Sequence, residues 1–184
     1  MHHNIFNTTD GIYVWGSNLA GQLGLGDNEN RNVPTKLEFT PKVLSIACGY
    51  AHTIFRTIEG IYVFGDNASG QLGLGDDVDR NIPTKLNFKQ EVLEISCGDR
   101  HIILQTIDGI YVFGDNKCGQ LGLGDNQDRN IPTKLNFEPQ VLAISCGTVH
   151  TIFQTAGEFP SFISRILCWI PALHWRKRHL AGSA

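Results

Sequence analysis

The chain has 184 residues, of which 41% are hydrophobic and 18% are charged, and its net charge is −3. This balance is typical of a globular chain and excludes extended disorder. The length favours one domain with a real core. The N-terminal residues lack the basic and then apolar run of a signal peptide, and the cysteine spacing does not resemble a disulfide framework. We therefore expect an intracellular protein, with the cytoplasm and the nucleus both open.

A block of 49 residues repeats along the chain. Residues 50–98 and 99–147 are identical at 35 of 49 positions, and the motif Gly-Gln-Leu-Gly-Leu-Gly-Asp begins at Gly21, Gly70 and Gly119. A fixed period of this length indicates stacked supersecondary units, none of which can bury its apolar face alone.

The first strand of one repeat is predicted over 92–97, where apolar and polar residues alternate. This alternation places Leu93, Ile95 and Cys97 on the buried side of the strand. The β-branched and apolar run at 101–106 predicts a second strand.

The rest of the repeat continues the same pattern. An Asp-Gly turn leads to a continuous apolar run at 110–113, which predicts a third strand buried on both faces. The glycine-rich residues 119–124 predict a compact loop, and Pro132 is expected to start an outer edge strand. Four short strands joined by turns, with no sustained helical period, are typical of a propeller blade.

Three motifs in fixed order carry a family resemblance. They are Gly-Ile-Tyr-Val-Trp-Gly-Ser-Asn at 11–18, Gly-Gln-Leu-Gly-Leu-Gly at 21–26 and Ser-Ile-Ala-Cys-Gly-Tyr-Ala-His at 45–52. Together they resemble the repeat of the regulator of chromosome condensation 1 family, and the likeness covers residues 1–155. The resemblance implies an all-β fold, namely a partial β-propeller of about three four-stranded blades. The type member of the family has seven blades.

The chain carries material for three units and a little more. Residues 3–10 match residues 52–59 in register, so the chain starts in the second half of a unit. Three interpretations stay open: a fragment of a longer propeller, a ring completed by self-association into a homo-oligomer, and an open arc of blades. The first is favoured, and the second is next because nearly identical blades could pack across a symmetric interface.

Residues 156–184 form a divergent tail. This segment has a net charge of +3, whereas residues 1–155 have −6. Three roles stay open for it: none at all, a cap on the last blade, or membrane contact by residues 159–178. Membrane contact is disfavoured because the apolar stretch is short, charged and twice interrupted by proline, whereas a spanning helix needs about 20 apolar residues.

The repeated histidines and glycines predict structure rather than chemistry. Each histidine opens a strand three residues after a glycine, and its ring nitrogen is expected to tie the strand end to a neighbouring loop. The glycines at the start of each loop motif are expected to let adjacent blades approach. These structural repeat residues are His52, His101, His150, Gly21, Gly70 and Gly119.

No constellation predicts catalysis, a cofactor or a metal ion. The Cys/His pairs do not converge as zinc ligands do, and the glycine-rich loop lacks the Gly-Lys-Ser/Thr ending of a phosphate-binding loop. Asp27 and its counterparts are interpreted as turn caps in solvated ion pairs with arginines such as Arg31, in preference to calcium ligands. Cys48, Cys97 and Cys146 are expected to be buried small residues.

Differences between the repeats cluster at predicted loop tips. A rigid scaffold with variable loops is a common way to build a recognition surface. The candidate interaction residues are Leu19, Ala20, Asn28, Glu29, Tyr50, Ala68, Ser69, Asp77, Val78, Asp99, Arg100, Lys117, Cys118, Asn126 and Gln127.

These observations predict a non-enzymatic protein-interaction module, either truncated or dependent on self-association. The family resemblance implies an alternative, nucleotide exchange on a Ran-type small GTPase. That alternative is weakened because the repeats leave no insertion for the family's β-hairpin wedge. A non-functional fragment of a longer propeller is the third alternative. The acidic repeats argue against nucleic acid as a partner.

Overall fold

The computed structural model of the chain describes residues 3–156, which form thirteen strands and no helix. The alternating and β-branched segments of each repeat become its strands, and the glycine-rich motif becomes a loop. The strands are β1 (His3–Thr8), β2 (Gly11–Gly16), β3 (Arg31–Leu37), β4 (Val43–Cys48), β5 (His52–Thr57), β6 (Gly60–Gly65), β7 (Arg80–Lys85), β8 (Val92–Cys97), β9 (His101–Thr106), β10 (Gly109–Gly114), β11 (Arg129–Lys134), β12 (Val141–Cys146) and β13 (Thr151–Thr155).

The strands pair in chain order as antiparallel meanders. Two four-stranded sheets, β4–β7 and β8–β11, lie between a three-stranded sheet, β1–β3, and a two-stranded sheet, β12–β13. β1 stands where β5 stands in the next sheet, since His3 pairs with Gly16 as His52 pairs with Gly65. The predicted register match between residues 3–10 and 52–59 is therefore confirmed.

The core lies between the sheets. One apolar cluster joins the first and second sheets, a second joins the second and third, and a third joins the third and fourth. Contacts between neighbouring sheets bring the first strands β4, β8 and β12 close to each other. The sheets therefore stack like the vanes of a fan, with these strands on the inner side. The predicted all-β partial propeller with four-stranded blades is confirmed.

A β-bulge changes the predicted faces of the first strand. Alternation placed Leu93 on the buried side, but the pairing shifts between Val92 and Glu94, and Leu93 is 49% exposed while Val92 is buried. The same shift exposes Leu44 and Leu142. The prediction for Leu93 was wrong because one extra residue reverses the faces of the strand on one side of the bulge.

The outer strand begins earlier than predicted. Pro132 was expected to start it, but β11 starts at Arg129, and Pro132 lies inside it. The pairing with β10 is irregular there, because Thr133 pairs with Val112 and Arg129 with Gly114. A proline is tolerated because the strand is at a sheet edge and the irregularity removes the need for its N–H.

The three repeated cysteines are less buried than predicted. Cys48 is exposed to solvent, and Cys97 and Cys146 are half-buried. They end the first strands β4, β8 and β12, so they lie on the inner side of the fan. Desolvation still raises the pKa of the Cys48 thiol to about 11, because the surrounding sheets crowd it even where a water molecule can reach it. These thiols are therefore protonated at neutral pH.

Apart from Ala156, the divergent tail lies outside the described residues, so its proposed roles and the domain boundary at residue 155 stay predictions. Among residues 3–156, no helix is long and apolar enough to cross a membrane.

Candidate interaction surface

Every candidate interaction residue lies on one side of the fan. In an antiparallel meander, alternate connections emerge at the same end of the sheet. The connections that follow β2, β4, β6, β8, β10 and β12 therefore share one side, which we call the loop face. It comprises residues 17–30, 49–51, 66–79, 98–100, 115–128 and 147–150.

Each long loop is built around a buried asparagine. The Asn18 side chain is inaccessible to solvent, its amide nitrogen donates to the Asp27 carbonyl at 2.9 Å, and its oxygen accepts from the Leu23 amide at 2.8 Å. Asn67 and Asn116 make the same bonds in their loops. Because the three loops share this interior network, their tips vary on a constant frame.

An aspartate–arginine pair closes each loop. Asp76 Oδ2 lies 2.6 Å from a guanidinium nitrogen of Arg80, and the same carboxylate accepts from the Val78 amide. The bond from Arg80, and then the Val78 amide, holds the pKa of Asp76 below its usual value. Asp27 and Asp125 have the same kinds of partners. The turn caps predicted for these aspartates thus coincide with ion pairs that are part-buried rather than fully solvated.

The repeated histidines connect neighbouring sheets. His3 Nε2 lies 3.0 Å from the Thr53 hydroxyl, which donates to the Gln22 carbonyl at 2.9 Å. The same relay recurs with His101, Thr151 and the Gln120 carbonyl, at 3.2 and 3.0 Å. The ring therefore reaches a strand of the next sheet, where the sequence predicted a contact with a loop.

Of the three junctions between neighbouring described sheets, the one between the second and third sheets lacks this relay, and His52 lies there. Ile102 takes the place of the threonine, and neither ring nitrogen of His52 has a hydrogen-bond partner among the described residues. Desolvation, and then the neighbouring His3 and His101, lowers the pKa of His52 to about 3. The nearby Asp99 carbonyl raises the pKa of His52 and so offsets part of this shift, although its geometry is not that of a hydrogen bond. His52 is therefore neutral at physiological pH.

The glycine three residues before each histidine makes room for the ring. A Cβ atom on Gly49 would lie 2.0 Å from His52 Cε1 and 2.7 Å from the Gly98 carbonyl oxygen. Gly98 and Gly147 face their histidines in the same way. The repeated Gly-x-x-His spacing thus reflects a ring packed on a bare backbone.

The predicted interaction residues divide into exposed and buried positions. Ser69 is only 4% exposed and is not available to a partner, while Ala20 and Asp99 are half-buried. The remaining candidates are exposed: Leu19, Asn28, Glu29, Tyr50, Ala68, Asp77, Val78, Arg100, Lys117, Cys118, Asn126 and Gln127.

Residues from four different loops meet in a groove of about 230 Å³. Leu19 is 57% exposed and Tyr50 is 42% exposed, so the groove presents apolar and aromatic surface. Arg100 Nε lies 4.0 Å from Asp66 Oδ2. Ala20 and Ala51 complete the lining. The groove therefore unites predicted positions that lie as much as 81 residues apart in the sequence, from Leu19 to Arg100.

The loop face is also the acidic side of the fan. Together with the arginine that starts each outer strand, it carries ten acidic and five basic residues. The opposite side, together with the lysines Lys36, Lys85 and Lys134, carries six acidic and five basic residues. The net charge is thus −5 on one side and −1 on the other, which favours a basic partner at the loop face.

Sequence reasoning missed the residues that hold this surface together. They include Asn18, Gln22, Thr53 and Asp66, of which only Asn18 and Gln22 are the same in every repeat, and none belongs to a familiar catalytic motif. The signal for them was the 49-residue spacing itself, which repeats Asn at 67 and 116 and Gln at 71 and 120. Within residues 3–156, no group of three or more His, Cys, Asp or Glu side chains is arranged to hold a metal ion.

The sequence matches the family model of the regulator of chromosome condensation (RCC1) repeat at residues 10–56, 60–104 and 108–154. A second model of the same repeat matches residues 43–71. These matches span most of the chain, so the protein belongs to the RCC1 repeat family. No curated protein matches the chain significantly by sequence.

Solved structures of other proteins share the fold. Prp20p from Saccharomyces cerevisiae superposes with a TM-score of 0.71 at 24% identity, over 79% of this chain and 40% of that chain. Yeast RCC1 (Prp20) in its complex with Kap60 gives 0.75 at 22% identity, over 81% and 39%. Human WBSCR16 gives 0.55 at 20% identity, over 84% and 56%. The chain thus spans about two fifths of the length of the yeast structures.

Proposed function

We propose that this protein is a non-enzymatic interaction module that binds a basic protein partner through the loop face. The observation that carries the proposal is the groove in which Leu19, Tyr50 and Arg100 converge from three loops. Tyrosine and arginine, both present in the groove, are among the residue types enriched at binding hot spots. The hydrogen-bonded frames of the loops would lower the entropic cost of binding.

The acidic charge of the loop face supports a partner with basic surface. The structure of Prp20p was described together with its binding to Gsp1p and histones. Histones are basic, so they are a suitable first probe for this chain. The same proposal places the protein inside the cell, in the cytoplasm or the nucleus.

The direct test measures binding of histones to the full chain by fluorescence anisotropy. Leu19→Ala and Tyr50→Ala should each weaken binding about tenfold or more, because exposed apolar anchors carry most of the energy of an interface. Affinity should also fall as salt rises, since charge complementarity contributes.

Ile58→Ala is the matched control. Ile58 is 66% exposed, similar to Leu19, but it lies in the β5–β6 turn on the opposite side of the fan. Its truncation should leave affinity unchanged. Equal losses for Leu19→Ala and Ile58→Ala, or no histone binding at low salt, would reject the loop face as the site for a basic partner.

A second candidate is nucleotide exchange on a Ran-type small GTPase. It is favoured by membership of the RCC1 repeat family and by the reported binding of Prp20p to Gsp1p. Exchange requires only that the protein bind the nucleotide-free GTPase more tightly than the loaded form. Release of a labelled nucleotide from Ran tests it. No acceleration at micromolar protein would remove this candidate and leave the first intact.

A further inference from the structure

In the first two junctions, the glycine loop of one sheet contacts the outer strand of the next. The Gly26 amide donates to the Asn81 carbonyl of β7 at 2.8 Å, and the Gly75 amide donates to the Asn130 carbonyl of β11 at 2.7 Å. A Cβ atom on Gly21 would lie 2.5 Å from the Asn81 Cα atom. The loop therefore receives the bare backbone of the next outer strand.

A proline and an aromatic ring complete each of these contacts. A Cβ atom on Gly24 would lie 3.0 Å from the Phe64 ring and 3.2 Å from Pro83 Cδ. In the next junction, Gly73 faces Phe113 and Pro132 at 2.9 and 3.3 Å. Both outer strands in these contacts read Arg-Asn-Ile-Pro and follow a strand that carries the aromatic ring, and we call the loop surface that binds them the seat.

The third loop has the same sequence but receives no strand from another sheet among the described residues. Its glycine Gly119 has a φ of 75°, close to the 73° of Gly70. Yet a Cβ atom there would meet only Asn126 of its own loop, at 3.6 Å. At Gly122 it would meet only Leu135, at 3.7 Å, and at Gly124 nothing within 4 Å. The third seat is therefore formed, and no other sheet within residues 3–156 occupies it.

The matching half lies at the other end of the chain. β3 reads Arg-Asn-Val-Pro, and its Asn32 and Pro34 are exposed, whereas their counterparts in β7 and β11 are half-buried. In the same sheet, Phe6 is 56% exposed although Phe55, at the equivalent position, is fully buried. Phe6 stacks on Trp15, with 4.9 Å between ring centroids. This sheet thus presents an uncovered aromatic face and an unseated outer strand.

We propose that the third loop of one molecule binds β3 of a second molecule of the same chain. The Gly124 amide would donate to the Asn32 carbonyl, and Pro34 and Trp15 would cover Gly122. This contact continues an interface that the chain already forms twice internally. It joins two different surfaces, so it is heterologous and adds molecules head to tail.

The fourth sheet would then become complete. β12 and β13 are equivalent to β4 and β5, and β1 is equivalent to β5 as well. We infer that β1–β3 of the second molecule dock as a unit, so that β1 replaces β13 beside β12. One antiparallel ladder is lost and an equivalent one forms, while the aromatic sheet face becomes buried.

Sedimentation velocity across a concentration series tests the proposal, with two matched variants. In Asn32→Arg, the new side chain lies where the loop approaches the strand. In Val33→Arg, the same side chain points outward, since Ile82 and Ile131 stay 56% and 55% exposed in seated strands. The wild type should exceed its monomer mass of 20.4 kDa as concentration rises. Asn32→Arg should raise the concentration at half-assembly at least about tenfold, and Val33→Arg should not.

Cysteine cross-linking tests the geometry. In the first junction, Asn81 Nδ2 lies 3.4 Å from Asn28 Oδ1, and the equivalent intermolecular pair is Asn32 and Asn126. A mixture of Asn32→Cys and Asn126→Cys chains, both in a Cys118→Ser background, should form a heterodimeric disulfide. A mixture of Val33→Cys and Asn126→Cys should not.

Three outcomes would overturn the proposal. They are a wild type that stays monomeric to about 100 µM, equal effects of the two arginine variants, and a monomer whose Gly124 amide is protected from hydrogen exchange. The last outcome would assign the seat to the chain's own C-terminal segment.

Discussion

Two kinds of junction hold the sheets together, and they differ at one residue. In the first and third junctions, a threonine hydroxyl links a histidine of one sheet to a glutamine carbonyl. In the second junction, Ile102 fills that position and joins the apolar cluster, while the buried His52 ring has no hydrogen-bond partner among the described residues. The same backbone thus accepts a polar relay or an apolar contact.

The difference shows which part of the junction is indispensable. The hydroxyl contributes hydrogen bonds of about 1 kcal/mol each, and the isoleucine contributes apolar burial of similar size, so they are nearly exchangeable. A histidine ring occurs in all three junctions, and in the second and third it packs on the glycine three residues before it. We therefore expect packing of the histidine ring to contribute more to the free energy of unfolding than the hydrogen-bonded relay does.

The largest effect is expected from Gly49→Ala. Its Cβ atom would overlap the His52 ring and crowd the Gly98 carbonyl, and overpacking of this kind costs about 3 kcal/mol of the free energy of unfolding. Urea unfolding measures the loss. In a His52→Ala background the same change should cost clearly less, because the ring is gone. A cost below about 1 kcal/mol in the wild-type background would show that the ring does not need the bare glycine.

Acidification should destabilise the second junction through His52. Above pH 6.5 the histidine is neutral in both states and has no effect. Below pH 6.5, His52 binds a proton in the unfolded chain, whereas in the folded protein it stays neutral down to about pH 3. The free energy of unfolding therefore falls as the pH decreases. The loss from His52 approaches about 1.4 kcal/mol per pH unit and amounts to about 2.3 kcal/mol between pH 6.5 and 4.5.

His52→Gln isolates this effect. Its free energy of unfolding should depend less steeply on pH than that of the wild type over the same range. His101, whose pKa burial lowers to about 4, should account for part of the slope that remains. Parallel profiles for the wild type and His52→Gln would contradict the assignment.

Thr53→Val should destabilise the first junction by about 1–2 kcal/mol. Valine matches threonine in shape but leaves the Gln22 carbonyl without its hydroxyl donor and removes the contact with His3. Thr53→Ser keeps the hydroxyl and should recover most of the loss. A neutral Thr53→Val, measured by urea unfolding, would mean that the relay does not stabilise the fold.

The smallest effect is expected from Ile102→Thr, which makes the second junction resemble the other two. Lost apolar burial and gained hydrogen bonds should offset each other to within about 1 kcal/mol. The pKa of His52 should rise from about 3, because its ring acquires a hydroxyl partner. Titration by NMR measures that shift. An unchanged pKa would show that the new hydroxyl does not reach the ring.

Most of the fold could be predicted from the 49-residue period. The period gives the four strands of a blade, their order and the glycine loop, because each feature is local and repeats. The bulge at Leu93 could not be read from the alternation, since one inserted residue leaves the sequence pattern intact while it reverses the faces. The start of the outer strand could not be placed from Pro132, because an irregular edge pairing tolerates a proline inside a strand.

The candidate site could be predicted only in part. Divergence among the repeats pointed to the loop tips, but it did not show that Leu19, Tyr50 and Arg100 meet in one groove. That meeting depends on the stacking of sheets, which brings together residues far apart in the chain. Burial of Ser69 was equally hidden, because equivalent positions differ in exposure: Ala20 is half-buried and Cys118 is exposed.

The buried asparagine of each loop has a consequence for how such a protein could diversify. Asn18, Asn67 and Asn116 fix the course of the backbone with bonds that none of the tip side chains supplies. Substitutions at positions 28–29, 77–78 and 126–127 can therefore accumulate with little penalty to folding. One chain could thus evolve three recognition loops independently while its backbone scaffold stays the same.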